Sequence, residues 1–137
     1  MADVVIDASV WVSRFVIHDP NHAASTRWLA TTTSAEGLLA APTLVLPEVA
    51  GPIARITGSP RLAQRVVARM LSVGGVRIVA LDRQLADGAA RLAARLRLRG
   101  ADAVYVALAE RLGLPLVTLD AQQLERGASV IEVQRPS

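Results

Sequence analysis

Cysteine and lysine are both missing from this 137-residue chain, and aromatic residues make up only 3% of it. Without cysteine there can be no disulfide, no zinc–thiolate centre and no thiol nucleophile. All 15 basic residues are arginine. That excludes Schiff-base chemistry, P-loop phosphate binding and a receiver-type phosphorylation site, each of which needs a lysine. One tyrosine, one phenylalanine and two tryptophans provide no aromatic platform for stacking bases. Ala, Leu and Val must fill the core instead. Long uninterrupted apolar runs are absent too: the stretch "LLAAPTLVLPEVAGPIA" carries three prolines and Glu48, which argues against a membrane span. Asp3 precedes the first apolar run with no basic segment before it, so no signal peptide is expected. The expectation is a cytoplasmic protein with no membrane association.

What is present is a globular composition, 52% hydrophobic and 20% charged, in a length that suits one domain over residues 1–137. A formal charge of +3 weakly favours a polyanionic partner. Along the chain, apolar strands alternate with amphipathic helices. Residues 3–7 read as a strand, "SVWVSRFV" as a helix, residues 21–32 as a second helix and "GLLAAP" as a strand. Thr43 is expected to cap a helix carrying Glu48, which Pro52 should kink or split. "GSPRLAQRVVARMLSVGG" is a helix with Ser59 as N-cap and Pro60 in its first turn. "VRIVAL" is a strand, and Asp82 opens a long helix running to Arg99 and closed by Gly100. "ADAVYVALAERLG" is a helix, "PLVTLD" a strand, "AQQLERG" a short helix and "SVIEV" a last strand. Continuous apolar strands separated by helices predict an α/β domain, a three-layer α/β/α sandwich around a parallel sheet. In such a sheet the strands point one way, and ligands gather at their carboxyl ends where strand order reverses.

Four carboxylates stand out against this pattern. Asp7 ends the first strand and Asp120 ends "PLVTLD"; Asp102 stands at the start of a helix, and Glu48 lies within an apolar one. Asp7, Asp102 and Asp120 each precede a helical segment, where a carboxylate also caps free N–H groups. Glu48 has no basic partner in its apolar surroundings, and a buried charge needs a partner or a metal. Carboxylates brought close together persist only with raised pKa values or a bound cation. Oxygen ligands without His or Cys suit Mg²⁺ or Mn²⁺ rather than zinc, and such an ion equips a site to hydrolyse a phosphodiester.

The segments "VVIDASVWV", "PEVAGPIAR", "GADAVYVALAERLG" and "PLVTLD", in this order, resemble the PIN-domain nucleases, most closely the VapC-type toxins of bacterial toxin–antitoxin pairs. The resemblance covers essentially the whole chain. It implies a PIN-like α/β/α fold and a Mg²⁺- or Mn²⁺-dependent endoribonuclease, commonly a homodimer and inhibited by a VapB-type antitoxin. Asp7, Glu48, Asp102 and Asp120 match the acidic quartet that serves as catalytic and metal-binding set. Ser9 and Thr118 match supporting hydroxyl positions. Pro52, four residues after Glu48, departs from a smooth helix.

Arg61, Arg65 and Arg69 recur every four residues, as do Arg91, Arg95 and Arg99, which lays each trio along one helix face. Such a face suits the RNA backbone or an acidic antitoxin surface, and equally a solvated side of an amphipathic helix. His18 and His22 flank a turn near Asp19, and Trp11 and Trp28 sit on apolar faces. Two alternatives stand beside the nuclease. One is a PIN-like RNA-binding module without cleavage. The other is a haloacid-dehalogenase-like phosphatase, against which the lysine deficit and Ser9 at the second-Asp position both count.

Overall fold

A computed structural model of the chain describes residues 3–137. The elements run β1 (Val4–Ile6), α1 (Ala8–Phe15), α2 (His22–Ser34), β2 (Leu39–Pro42), α3 (Val45–Thr57), α4 (Pro60–Leu71), β3 (Val76–Val79), α5 (Arg83–Leu96), α6 (Gly100–Leu112), β4 (Leu116–Val117), α7 (Ala121–Arg126), a 3₁₀ turn (Gly127–Ser129) and β5 (Val133–Gln134). Every strand pairing is parallel, and the order across the sheet is β3-β2-β1-β4-β5. The alternation of apolar strands and helices therefore produces the α/β fold that the sequence pattern predicts.

Successive strand residues point to opposite faces, and every residue of β1, β2 and β4 is buried. The centre of the sheet is therefore covered on both sides, which makes three layers. The edge strands β3 and β5 are only partly buried. Helix α6 is the most enclosed helix, with eight successive buried residues from Asp102 to Ala109. It packs on β1, β2 and β4 and against α5 and α7, while α1 packs on both α2 and α3, and α3 on α4. A helix apolar around its whole circumference belongs in the core.

Four boundaries differ from expectation. Helix α5 stops at Leu96, because Arg97 turns left-handed with φ 57°; Gly100 opens α6 rather than closing α5. Arg99 thus leaves the helix of Arg91 and Arg95, so those three arginines do not form one stripe. Thr43 caps no helix: α3 begins at Val45 without a side-chain cap. The Thr43 hydroxyl instead accepts the Leu81 N–H at 3.2 Å, joining the ends of β2 and β3. Pro52 lies within α3, and the helix continues through it to Thr57. The last strand is shorter and later than "SVIEV", because Ser129 belongs to the 3₁₀ turn. Ser59 does cap α4, accepting the Leu62 N–H at 3.0 Å, with Pro60 at the first position.

Candidate active site

The chain lays down β1, β2 and β3 outward in one direction and then returns to place β4 on the other side of β1. The carboxyl ends of β1 and β4 therefore flank the point where strand order reverses, the place where α/β sheets open a crevice. Asp7 follows β1 directly and Asp120 closes the turn after β4. The Asp7 N–H donates to the Val117 carbonyl at 3.0 Å, which extends the β1–β4 pairing to the crevice floor.

Both residues cap the helix that follows. Asp7 accepts the Ser9 N–H at 2.9 Å at the start of α1, and Asp120 accepts the Gln123 N–H at 2.8 Å at the start of α7. Capping does not exclude a site role, because each carboxylate spends one oxygen on the cap. Asp102 stands in the first turn of α6 and does not cap it. One of its oxygens accepts the Arg99 Nε–H at 2.8 Å instead. Glu48 extends from α3, and its Oε1 accepts the Tyr105 hydroxyl at 2.7 Å. Pro52 has no N–H to offer the Glu48 carbonyl one turn back, so that carbonyl lacks its usual helical partner.

All four acids line one cavity of about 420 Å³, together with Ser9, Asp19, Pro52 and Arg99. Asp19 adds a fifth carboxylate. Its Oδ1 accepts the Asn21 N–H at 2.8 Å in the turn expected there. The His22 ring pairs with the Ser13 carbonyl at 3.0 Å rather than with a carboxylate. Trp11 is buried in the core and Trp28 packs against it.

Beneath the acids runs a directed hydrogen-bond chain. The Asp7 carboxylate and the Asp102 backbone carbonyl only accept, so the Gln123 amide nitrogen must face them, at 3.2 Å from each. Its amide oxygen then takes the Thr118 proton at 2.5 Å. With that proton committed, the Ser9 hydroxyl is the donor in its 3.4 Å contact with Thr118 Oγ1. Ser9 in turn accepts the Leu119 N–H at 3.1 Å, and Thr118 accepts the Asp120 N–H at 3.0 Å. The two hydroxyls singled out in the sequence are thus second to Gln123, which is fully buried and touches Asp7, Asp102, Thr118 and Asp120.

The electrostatics follow from burial and crowding. The Glu48 carboxyl is raised above its ordinary range by desolvation, with the charges of Asp7 and Asp102 adding to it and the Tyr105 hydrogen bond opposing it. Desolvation also raises Asp102, helped by the charges of Asp120 and Asp7 and opposed by Arg99. Tyr105 is pushed far up by burial and by the same negative charges, so its hydroxyl remains a donor. Each raised carboxyl marks a site that favours an added positive charge.

Among the described residues, no three His, Cys, Asp or Glu side chains close on one point as a finished metal cage. The donor set nonetheless fits a hard divalent cation. Every donor is oxygen, and the Arg99 guanidinium already sits on two of the carboxylates as a stand-in cation, at 2.8 Å from Asp102 and 3.3 Å from Asp120. Mg²⁺ in particular is commonly held by one or two carboxylates and retains several waters. Asp7, Glu48, Asp102 and Asp120 are the cavity carboxylates that could hold such an ion.

Tyr105 and Gln123 are the site residues that the sequence pattern did not reveal, and Arg99, expected on a helix stripe, instead joins the acids. Tyr105 lies three positions after Asp102, on the same side of α6. Gln123 stands three positions after Asp120.

The sequence matches the PIN domain family over residues 4–128. This chain belongs to the PIN domain family. The phosphatase alternative finds no support in that membership. No curated protein sequence is significantly similar to this PIN domain. Solved structures show its fold in bacterial proteins. The VapC20 toxin of Mycobacterium tuberculosis, described as cleaving the Sarcin-Ricin loop, superposes with a TM-score of 0.78 at 22% identity, over 94% of this chain and 96% of that one. VapBC2 of Rickettsia felis, bound to a fragment of its promoter DNA, gives 0.76 at 13% identity over 98% of each chain. DNA-bound VapBC of Salmonella typhimurium gives 0.72 at 17% identity over the full length of both. Among the described residues no helix is long and apolar enough to cross a membrane.

Proposed function

We propose that this PIN domain is a divalent-metal-dependent endoribonuclease and the toxin of a toxin–antitoxin pair. The observation that carries the reading is the convergence of Asp7, Glu48, Asp102 and Asp120 on one cavity at the switch point of a PIN-family sheet. A bound Mg²⁺ or Mn²⁺ would supply an activated water and neutralise charge developing on the phosphate. Asp7 is held by the Ser9 N–H and Gln123, and Asp120 by the Gln123 N–H, so both carboxylates are oriented before any ligand arrives. Glu48 commits one oxygen to Tyr105, which leaves Oε2 to ligate or to take a proton from water. RNA rather than DNA as substrate rests on the likeness to a toxin described as cleaving the Sarcin-Ricin loop. A VapB-type antitoxin rests on the likeness to VapBC complexes. A homodimer in the cytoplasm is the assembly that goes with this reading.

One observation favours a second reading, an RNA-binding PIN module without cleavage: Arg99 lies on two of the four carboxylates. Incubating the purified chain with RNA in Mn²⁺ and in EDTA separates the two. Cleavage that needs Mn²⁺ and falls more than about 100-fold in Asp7→Asn, a loss beyond that of an outer-sphere partner, supports the nuclease, provided circular dichroism stays native. Binding without cleavage in either condition supports the module.

A further inference from the structure

Arg99 occupies a position that local chemistry does not favour. It stands at the N-cap of α6 and makes no side-chain cap. Ser, Thr, Asp and Asn are preferred there for their acceptor oxygens, and a cation meets the positive end of the helix dipole. Nothing in helix formation calls for arginine at this point. Its side chain is 72% exposed, so burial does not hold it either. What holds it is the pair of carboxylates. Nε donates to Asp102 Oδ2 at 2.8 Å, and Nη2 donates to Asp120 Oδ1 at 3.3 Å. The left-handed turn at Arg97 ends α5 two residues earlier, and Arg99 lines the cavity.

We propose that Arg99 is a built-in displaceable cation, which neutralises Asp102 and Asp120 when no metal is bound and must release them for a divalent ion to enter. The inference rests on the metal-dependent reading above. The guanidinium spends one edge on two different carboxylates rather than pairing with one, so a single positive charge offsets both. The arginine side of the pair is open to solvent, 72% exposed against 12% for the Asp102 side chain, so water and salt reach the guanidinium, which is what a displaceable occupant requires. Asp7 and Glu48 form no hydrogen bond or ion pair with Arg99: their hydrogen bonds come from Ser9, Gln123 and Tyr105. Two carboxylates thus stand open while the other two are guarded. The consequence is a raised threshold for metal, set by one side chain.

The test is Mn²⁺ binding by isothermal titration calorimetry, without RNA, to the full chain and to Arg99→Gln. The variant should bind Mn²⁺ about three- to tenfold more tightly, because no internal cation has to leave. Arg77→Gln, which removes an exposed charge from edge strand β3, should stay within about twofold of wild type and so account for long-range electrostatics. Arg99→Lys keeps the charge without the planar fork and should fall between wild type and Arg99→Gln; it also serves if Arg99→Gln is unfolded. In EDTA, Arg99→Gln should melt below wild type. Equal or weaker Mn²⁺ binding by the Arg99 variants overturns the role of Arg99 while leaving the metal site intact. If wild type and variants all fail to bind Mn²⁺ at millimolar concentration, the metal-dependent reading falls, and this inference falls with it.

Discussion

The side-chain amide of Gln123 reaches Asp7 across 116 positions of sequence, with Nε2 3.2 Å from Oδ1. It is the cross-tie of the site, since the same amide group meets the Asp102 carbonyl and the Thr118 hydroxyl. Gln123→Met preserves the volume and removes all three bonds. It should cost about 1–3 kcal/mol, the usual penalty for leaving buried polar groups unpaired. Gln123→Glu should cost more, because it turns a second carboxylate toward Asp7. Urea unfolding in EDTA measures both. A Gln123→Met protein within about 0.5 kcal/mol of wild type would show that the cross-tie contributes nothing to stability.

Glu48 gives the pH dependence its sign. Its carboxyl is raised in the folded chain above the ordinary value of 4.5, so the folded state holds more protons than the unfolded state in that window. Stability from this group is full below about 4.5 and is lost as pH rises through the folded value. Asp7, Asp102 and Arg99 are the charged groups acting on it, with Tyr105 as its donor. Glu48→Gln keeps an acceptor for Tyr105 and removes the charge. In EDTA the variant should therefore gain in melting temperature on wild type from pH 5 to pH 8. In Mn²⁺ at pH 8 the order should reverse, because wild type alone keeps the full ligand set and binding stabilises the folded state. Parallel melting curves at every pH, with and without Mn²⁺, would remove Glu48 from the cluster.

Tyr105→Phe approaches the same carboxylate from its donor. The Tyr105 hydrogen bond lowers the Glu48 pKa, so its loss should push that pKa higher. Protons then compete better for the carboxylate at low pH. The fold-loss in Mn²⁺ affinity relative to wild type should be larger at pH 6 than at pH 8. An equal loss at both, read by titration calorimetry, would mean that Glu48 does not ligate.

Arg91 and Arg95 remain together on α5, both exposed. If they contact RNA phosphates, replacing both with Gln should flatten the log–log dependence of RNA affinity on salt by about 1.4, at roughly 0.7 per single-strand phosphate contact. Filter binding across a salt series with the metal omitted measures this without cleavage. An unchanged slope would make the pair a solvated helix face.

The sequence made part of this site legible and concealed the rest for identifiable reasons. Asp7 and Asp120 were visible because a charge at the end of an apolar strand is costly unless it has a use. The strand alternation also placed them at one sheet edge. The end of α5 was not visible. Gly at the position after a helix is the usual left-handed residue, and Gly100 looked like that stop. Arg97 takes the left-handed conformation instead, and the shift carries Arg99 off its stripe and onto the acids. Thr43 misled in a similar way: a hydroxyl before a helix reads as a cap, yet its partner is the Leu81 N–H, 38 residues away. Gln123 had no signal beyond polarity in a short helix, because its distant partners, Asp7 and the Asp102 carbonyl, are brought to it only by the β1–β4 pairing and by α6 packing on α7.

Helix α6 carries Asp102 in its first turn and Tyr105 one turn later, and it is buried on every side from Asp102 to Ala109. For a segment so enclosed, amide exchange is expected to require the opening of the whole fold. Two of the side chains at the acidic cavity are therefore anchored to the last part of the molecule to come apart. Charge crowding at the cavity cannot be relieved by a local excursion of that wall, so it acts on the stability of the entire domain. Deuterium uptake along α6, followed with and without Mn²⁺, should accordingly slow as a unit on binding, reporting metal occupancy from residues as far along the helix as Ala109.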